Sequence, residues 1–245
     1  MSREDLKTSK TKTQSMINET IPTVSLSPFF IDDDEADSKE RVTETIRRAC
    51  EAYGFFQIVD HGVPLHLTRR ALQLSRAFFA RSYEDKLMSK PVQGSRSPLP
   101  AGYARQPVQS ADKNEYLLMF SPESGFNVYP SNPPQFREVM EELFHTLSKT
   151  SSVVEGILNK SMGLPCDALH EFNKDRGCDF MTALHYFPAT VSENNGISQH
   201  EDGNFFTFVF QDDVGGLEVL KDNEWIPIVP DEGAIVSTSA TSSRF

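Results

Sequence analysis

The spacing of apolar residues along the chain changes near Phe180. Before it, apolar positions recur every three or four residues, as Val42, Ile46 and Ala49 do, which is the spacing of one face of an α-helix. The pattern predicts three long helices, over residues 38–54, 65–82 and 133–162, and a short helix in "MGLPCDALHEF". Gly54 is predicted to end the first helix, because glycine readily adopts the backbone conformation found there.

Apolar runs between turn residues predict the strands. "IPTVSLSPFF" and "FFQIVD" are such runs in the first half, whereas residues 91–107 are rich in Pro, Gly and Ser and predict a loop. After Phe180 the period is two, and the predicted strands are "MTALHYF", "GISQHED", "NFFTFVF", "LEVL", "WIPIV" and "AIV". Both faces of "NFFTFVF" are apolar, which predicts a strand buried on both sides. Helices followed by antiparallel strands predict an α+β fold whose C-terminal half is a sandwich or jelly roll.

Composition narrows the class of partner. The chain has 245 residues, of which 38% are hydrophobic, enough for one domain or for one domain with an N-terminal subdomain. Its formal net charge of −11 argues against nucleic acid and membrane surfaces and leaves small molecules. The three scattered cysteines form no even disulfide framework, which indicates a reducing, cytoplasmic location. The first 20 residues are polar, lack a signal-peptide pattern and predict a mobile tail.

The stretch "QHEDGNFFTFVFQ" contains a candidate metal site. On a strand, His200 and Asp202 would point to the same side, and could offer one nitrogen and one oxygen ligand to a first-row divalent metal such as Fe(II). A bare H-x-D spacing is weak evidence, because a solvent-facing His and Asp at a strand end would look the same. The strand that follows favours a metal site, since jelly rolls can hold metals behind a dry wall.

Several segments together resemble a known family. They are "IPTVSLSPF", "ACEAYGFFQIVDHGVP", "AFFARSYEDK", "GY", "LHYFPA", "QHEDGNFFTFVFQDDVGGLEVL" and "WIPIVPDEGAIV". In order and spacing they resemble the 2-oxoglutarate- and Fe(II)-dependent dioxygenases of the isopenicillin N synthase-like type, which are abundant in plant specialised metabolism. The resemblance covers about Ile21 to Val236.

The resemblance implies a helical N-terminal region followed by a double-stranded β-helix, or jelly-roll, core. It divides the chain into a tail (1–20), a helix-rich dioxygenase region (21–165), a jelly-roll domain that is incomplete (166–236) and a divergent tail (237–245). It also implies a monomeric enzyme that hydroxylates, desaturates or demethylates a small organic substrate. Its cofactors would be Fe(II), 2-oxoglutarate as co-substrate with dioxygen, and ascorbate as an accessory.

The resemblance also assigns site residues. The family holds iron with two His and one carboxylate, and His200 and Asp202 match the first two ligands. Tyr186, Thr207 and Val209 would fall near the pocket lining.

Two features depart from the family pattern. The family has a further His and an R-x-S downstream of H-x-D, but no His follows Asp202 and "STSATSSRF" stands where these would be expected. In "LHYFP", His185 and Phe187 occupy the places of an Asn and a Tyr that bind the co-substrate. His185 could donate a hydrogen bond there, although a core histidine with satisfied partners is the favoured interpretation. The sequence therefore predicts a C-terminally truncated member that is inactive or impaired.

Two other functions compete with the enzyme. The first is a non-catalytic, truncated isoform or interaction protein. The second is a hydrolytic metalloenzyme, which is disfavoured because the chain has no H-E-x-x-H or H-x-H cluster. Asp60, His61 and Gly62 could suggest a further ligand, but they predict a turn instead.

Overall fold

The computed structural model describes residues 20–31, 36–174, 176–188 and 196–239, and most of the two predicted tails lies outside these ranges. The described helices are α1 (Ala36–Ala52), α2 (Leu65–Phe79), α3 (Tyr83–Leu87), α4 (Phe136–Ser161) and α5 (Ala168–Phe172). The strands are β1 (Thr23–Ser25), β2 (Phe55–Val59), β3 (Gly102–Arg105), β4 (Asn114–Phe120), β5 (Phe180–Tyr186), β6 (Phe206–Val209), β7 (Glu218–Lys221), β8 (Glu224–Pro227) and β9 (Ile235–Ser239). None of these helices combines the length and hydropathy that a bilayer crossing requires.

The strands form two larger sheets and a hairpin. The first sheet has the order β1-β2-β9-β6, in which only β1 and β2 are parallel. The second sheet, β3-β4-β5, is antiparallel throughout, and β7 pairs with β8. Both larger sheets combine strands from before and after Phe180, so the helix-rich region and the strand-rich region build the same sheets. The predicted α+β fold is confirmed.

The main hydrophobic cluster lies between the two larger sheets and is closed by helices. It contains Phe56 of β2, Leu117 of β4 and Ile235 of β9, together with Ile46, Phe78 and Val154 from α1, α2 and α4. A second cluster lies on the other face of the first sheet, where Phe55 meets Val219 and Ile226 of the hairpin. Phe55 and Phe56 enter different clusters because successive side chains of a strand point to opposite faces.

The periodic predictions are largely confirmed. Helices α1, α2 and α4 lie where the apolar spacing places them, and β2, β5, β7 and β8 match predicted strands. Gly54, with a φ of 72°, ends α1, since its N–H bonds back to the carbonyls of Ala49 and Cys50.

Three predictions are wrong. The predicted loop over residues 91–107 contains β3, and "GISQHED" is irregular rather than a strand. The "NFFTFVF" strand is not buried on both sides: all four residues of β6 are half-buried. Strand β6 ends the order of its sheet among the described strands and pairs only with β9, so its side chains are covered less than those of a central strand.

Strand β3 forms although its sequence predicts a loop, because a residue outside the strand bonds to its backbone. The N–H of Tyr103 donates to the carbonyl of Ser89 over 2.7 Å. A Cβ on Gly102 would lie 2.5 Å from that same carbonyl oxygen, and the φ of Gly102 is +124°. Only glycine permits this close approach at this backbone angle, so the glycine-rich composition serves the strand here.

The predicted turn at residues 60–62 is confirmed, and it buries His61. The Nδ1 atom of His61 accepts a hydrogen bond from the N–H of Val63 over 3.2 Å, and the ring also bonds to the backbone of Gly233. The carbonyl of His61 accepts from the hydroxyl of Thr150 in α4 over 2.8 Å. His61 therefore connects the turn between β2 and α2 to α4 and to the turn before β9.

We expect a histidine-dependent loss of stability on acidification. Burial lowers the pKa of His61 below its ordinary value of 6.5, although the Gly233 bond opposes the change. The unfolded chain therefore binds this proton more readily, and the stabilising contribution is complete above pH 6.5 and declines as the pH falls below it. Urea unfolding at pH 8.0 and 5.8 should show this decline in the wild type. A His61→Asn variant has no imidazole to protonate, so its free energy of unfolding should decline less between these two pH values. An identical decline in the variant and the wild type would contradict the role of His61.

Candidate functional site

His200 and Asp202 lie close together although no strand holds them. The Nε2 atom of His200 is 3.5 Å from Oδ1 of Asp202, and their side chains are 37% and 18% exposed. The predicted proximity is therefore present, while its predicted cause, the alternation of a strand, is not. Both side chains remain accessible to a small ligand.

The segment that carries His200 is fixed by the start of β4. The carbonyl of Gly196 accepts from the N–H of Lys113 over 3.1 Å and from Nδ2 of Asn114 over 2.7 Å. The carboxylate of Asp112 accepts from both the N–H and the hydroxyl of Ser198, over 2.7 and 2.5 Å. These bonds occupy the polar groups that a β-ladder would have used, which explains why "GISQHED" is irregular.

The imidazole of His200 has a fixed orientation. Its Nδ1 lies 2.9 Å from the carbonyl oxygen of Ser198, and this contact is a hydrogen bond only if Nδ1 carries the proton. In the neutral ring, Nε2 is then an acceptor that faces the carboxylate oxygen of Asp202. Two facing acceptors repel each other unless a proton or a metal cation lies between them. A divalent metal would fit this place, and the Ser198 carbonyl would then have the supporting role that commonly orients a metal-binding histidine.

The pair does not complete a metal site by itself. Within the described ranges, no group of three or more His, Cys, Asp or Glu side chains is placed to hold a metal ion. Two protein ligands are therefore what these residues offer.

His185 and Phe187 lie at the end of β5, beside the same part of β4. The N–H of Phe187 donates to the carbonyl of Lys113 over 3.0 Å, and His185 pairs with Glu115 across the sheet. The Nδ1 of His185 lies 2.9 Å from Oε1 of Glu115, and its ring stacks on Phe79 of α2. The segment that carries His200 and the end of β5 that carries His185 and Phe187 therefore both bond to residues 112–115.

The satisfied-histidine interpretation of His185 is met at Nδ1, the ring nitrogen whose partner lies among the described residues. Glu115 engages Nδ1, while the side chain is still 42% exposed. His185 is thus held by a buried partner and reachable from solvent.

A buried hydrogen-bond network centred on Glu115 supports His185. The ammonium of Lys86 donates to both carboxylate oxygens of Glu115, over 2.7 and 2.8 Å, and to the carbonyl of Phe79 over 3.1 Å. The hydroxyl of Tyr103 donates to Oε2 of Glu115 over 2.6 Å. The Glu115 side chain has no exposed surface and that of Lys86 is 7% exposed. A buried ion pair of this kind is tolerated when its remaining hydrogen-bonding positions are satisfied, and here four contacts satisfy the carboxylate.

The network also shifts pKa values. Burial raises the pKa of Glu115, but hydrogen bonds from Lys86, Tyr103 and His185 overcome this effect and leave the pKa below its ordinary value. Burial, followed by the bond to Glu115, raises the pKa of Tyr103. Glu115 is therefore a charged acceptor and Tyr103 a neutral donor at physiological pH.

The residues predicted to line the pocket lie on different faces. Tyr186 points to the side of β5 opposite His185 and packs close to the backbone of Gly196. Phe206 and Phe208 pack against the main cluster, as Met181 and Ala183 of β5 do. Thr207 and Val209 point the other way, and Val209 packs on the second cluster. The structure does not bring Thr207 and Val209 to the face that carries His185 and Phe187.

The sequence reasoning missed the residues that organise this region. Asp112 and Asn114 anchor the His200 segment, and Glu115 with Lys86 supports His185. One signal was present: Glu115 is an acidic residue at the start of the run "EYLLMF", where a charge must find a partner.

Comparisons with known proteins identify the family of the chain. The family model for the non-haem dioxygenase in morphine synthesis N-terminal domain matches residues 21–145, and the model for the 2OG-Fe(II) oxygenase superfamily matches residues 178–243. A flavanone 3-dioxygenase of Petroselinum crispum is 30% identical and covers 88% of this chain, while the chain spans 60% of that protein's length. A flavonol synthase/flavanone 3-hydroxylase of Matthiola incana is 31% identical, with 81% of this chain and 69% of the relative covered.

Solved structures confirm the fold. A Neurospora crassa protein in complex with alpha-KG superposes with a TM-score of 0.78 at 20% identity, covering 94% of this chain and 79% of that protein. The complex of JOX2 with 2OG, Fe and JA superposes with a TM-score of 0.71 at 27% identity, covering 90% of this chain and 64% of JOX2. These neighbours confirm the jelly-roll core. The matched superfamily is defined by its cofactors, Fe(II) and 2-oxoglutarate. The chain therefore belongs to the 2-oxoglutarate- and Fe(II)-dependent dioxygenases, a family of oxidoreductases that act on small molecules.

Proposed function

We propose that this chain contributes the Fe(II) and substrate-binding region of a dioxygenase that oxidises a small organic molecule in specialised metabolism. The observation that carries the proposal is the 3.5 Å approach of His200 Nε2 to Asp202 Oδ1, with His200 oriented by the Ser198 carbonyl. A nitrogen and an oxygen donor suit Fe(II). Bound iron would supply the activation of dioxygen, coupled to the decarboxylation of 2-oxoglutarate.

The protein's own part in the reaction is to bind and orient. His200 and Asp202 would hold the metal, and the Ser198–Asp112 bonds keep them in place. His185 and Phe187 would face the co-substrate from the end of β5. Phe187 has no hydroxyl to donate, so His185 is the polar group of the two, and Glu115 fixes its ring.

Relatives support the substrate class in general terms. They include a flavanone 3-dioxygenase and a flavonol synthase/flavanone 3-hydroxylase. We propose a hydroxylation, desaturation or demethylation of a small organic substrate, carried out in the cytoplasm by a monomer. The net charge of −11 supports a partner that is neither nucleic acid nor an anionic membrane.

We also propose that the 245-residue chain, by itself, binds iron weakly and turns over slowly. The described residues offer two protein ligands, whereas the family's triad has three. The alternative is a non-catalytic interaction protein, which would show neither metal affinity nor turnover.

Anaerobic titration of the full chain with Fe(II) tests the proposal. We expect measurable binding that falls by at least about tenfold in a His200→Ala variant, because even the loss of a residue that only supports a metal ligand usually costs about tenfold to a hundredfold in affinity. Succinate release from 2-oxoglutarate should be slow and should depend on added Fe(II). His170→Ala, an exposed histidine in α5, is the matched control and should leave both unchanged. Equal affinities for wild type and His200→Ala would sink the assignment of the metal ligands.

A further inference from the structure

Arg105 has an unusual environment for an exposed arginine. It ends β3, where it pairs with Glu115 of β4, and Glu115 pairs in turn with His185 of β5. Directly paired residues of neighbouring strands share a face of the sheet. Arg105 and His185 are therefore on one row of one face, with Glu115 between them.

Two aromatic rings hold the guanidinium. Its central carbon lies 4.6 Å from the ring centre of Phe187 and 5.8 Å from that of Tyr83. Such contacts use the charge of the group and leave its N–H donors available for hydrogen bonds. The arginine is therefore oriented before any ligand arrives, which lowers the entropic cost of binding.

The charge of Arg105 has no carboxylate partner within the described part of the chain. The nearest acid on its own row, Glu115, is occupied by Lys86, Tyr103 and His185. Arg96, exposed in the 91–101 loop, also lacks such a partner, but no aromatic ring of the described residues orients it as Phe187 and Tyr83 orient Arg105. The remaining described arginines bond to acids or polar side chains: Arg41, Arg47, Arg48, Arg69, Arg70, Arg76, Arg81, Arg137 and Arg176. An oriented, uncompensated guanidinium in a chain of net charge −11 indicates a place for an anion from outside.

We propose that Arg105, framed by Phe187 and Tyr83, binds the carboxylate of a small organic acid at the end of the β3-β4-β5 sheet. Guanidinium matches carboxylate geometry with two parallel hydrogen bonds, which gives orientation as well as affinity. The inference rests on the proposed function, since it treats the face with His185 and Phe187 as a wall of the substrate site. The carboxylate could belong to 2-oxoglutarate or to the substrate, and the experiment below separates the two.

Isothermal titration calorimetry on the full chain tests the proposal with four probes: 2-oxoglutarate, benzoate, cinnamate and neutral benzamide. The variants are Arg105→Gln and, as control, Arg96→Gln, which removes the same charge from an exposed arginine in the 91–101 loop. We expect Arg105→Gln to weaken carboxylate binding by about tenfold or more, as the loss of a charged hydrogen bond predicts. Arg96→Gln should have no effect, and benzamide should not respond to either change. Thermal unfolding of each variant verifies that it is folded.

The pattern among probes identifies the source of the carboxylate. A loss confined to 2-oxoglutarate assigns Arg105 to the co-substrate, and a loss confined to benzoate or cinnamate assigns it to the substrate. Equal losses of carboxylate affinity in Arg105→Gln and Arg96→Gln would show that the net charge of the chain, and not the position of Arg105, causes the effect. This result would overturn the proposal. Binding that ignores Arg105→Gln, or no binding of any carboxylate by the wild type, overturns it as well.

The metal proposal can fail independently. Repeating the titrations without metal, and in His200→Ala, removes the proposed iron site and leaves Arg105 intact. Arg105-dependent binding that persists while Fe(II) binding is absent would refute the metal ligands only. Fe(II) binding that is lost in His200→Ala, with no effect of Arg105→Gln, would refute this inference only.

Discussion

Replacing Phe78 with alanine should lower the free energy of unfolding by about 3–5 kcal/mol, the usual cost of deleting a buried aromatic ring. Phe78 is 1% exposed and lies in the main cluster. Its ring centre is 5.2 Å from that of Phe79, 5.9 Å from Tyr103 and 5.8 Å from Phe136, so it joins α2, β3 and α4. Alanine would leave a cavity bounded by three elements that cannot easily close it.

A matched control is available for this substitution. Phe172 in α5 is 91% exposed, so Phe172→Ala makes the same chemical change without a cavity, and surface changes usually stay within about 0.5 kcal/mol. Urea unfolding followed by circular dichroism measures both. A loss for Phe78→Ala that is no larger than this surface range, or equal losses for the two variants, would contradict the packing around Phe78.

The parts of the fold that the sequence predicts well are those with local causes. Helices α1, α2 and α4 follow from apolar spacing over many residues, and Gly54 marks an end that only its own backbone angle requires. The hairpin of β7 and β8 follows from a short turn between two apolar runs. In each case the residues that decide the structure lie within the element itself.

The poorly predicted parts have causes far away in the sequence. Strand β3 depends on the carbonyl of Ser89, and the irregular path of residues 196–200 depends on Asp112 and Asn114. A pattern read within one segment cannot contain such partners. The prediction that Pro- and Gly-rich residues form a loop was wrong for this reason.

The candidate site combines both kinds of cause. Spacing alone suggested that His200 and Asp202 act together, and the structure brings them within 3.5 Å. The orientation of His200 by Ser198, and the row from Arg105 through Glu115 to His185, arise from strand register. No spacing in the sequence specifies that register, so the sequence alone does not place Arg105 and Glu115 beside His185.

A Lys86→Met substitution should also cost about 3–5 kcal/mol, because it leaves the charge of Glu115 buried without its cation. Methionine fills a similar volume, so the loss would report charge rather than packing. Tyr103 and His185 would still donate to the carboxylate. These two hydrogen bonds should reduce the loss of stability without abolishing it.

A double-mutant cycle separates the ion pair from its surroundings. Glu115→Gln keeps an acceptor for Tyr103 and removes the charge. The double variant Lys86→Met with Glu115→Gln should therefore be more stable than Lys86→Met alone, since no unpaired charge is left. Additive losses in the two single variants would show that the pair contributes nothing as a pair.

The dependence of this loss on pH gives the sharpest test. In the wild type the pKa of Glu115 is below 4.5, so its contribution is complete above pH 4.5 and is lost as the pH falls below that value. Without Lys86, burial dominates and should raise the pKa of Glu115 above 4.5, which reverses the sign: stability would then be lost as the pH rises. The difference between wild type and Lys86→Met should accordingly be larger at pH 7.5 than at pH 5.0. A pH-independent difference in urea unfolding would mean that lost packing, and not an unpaired carboxylate under His185, destabilises the variant.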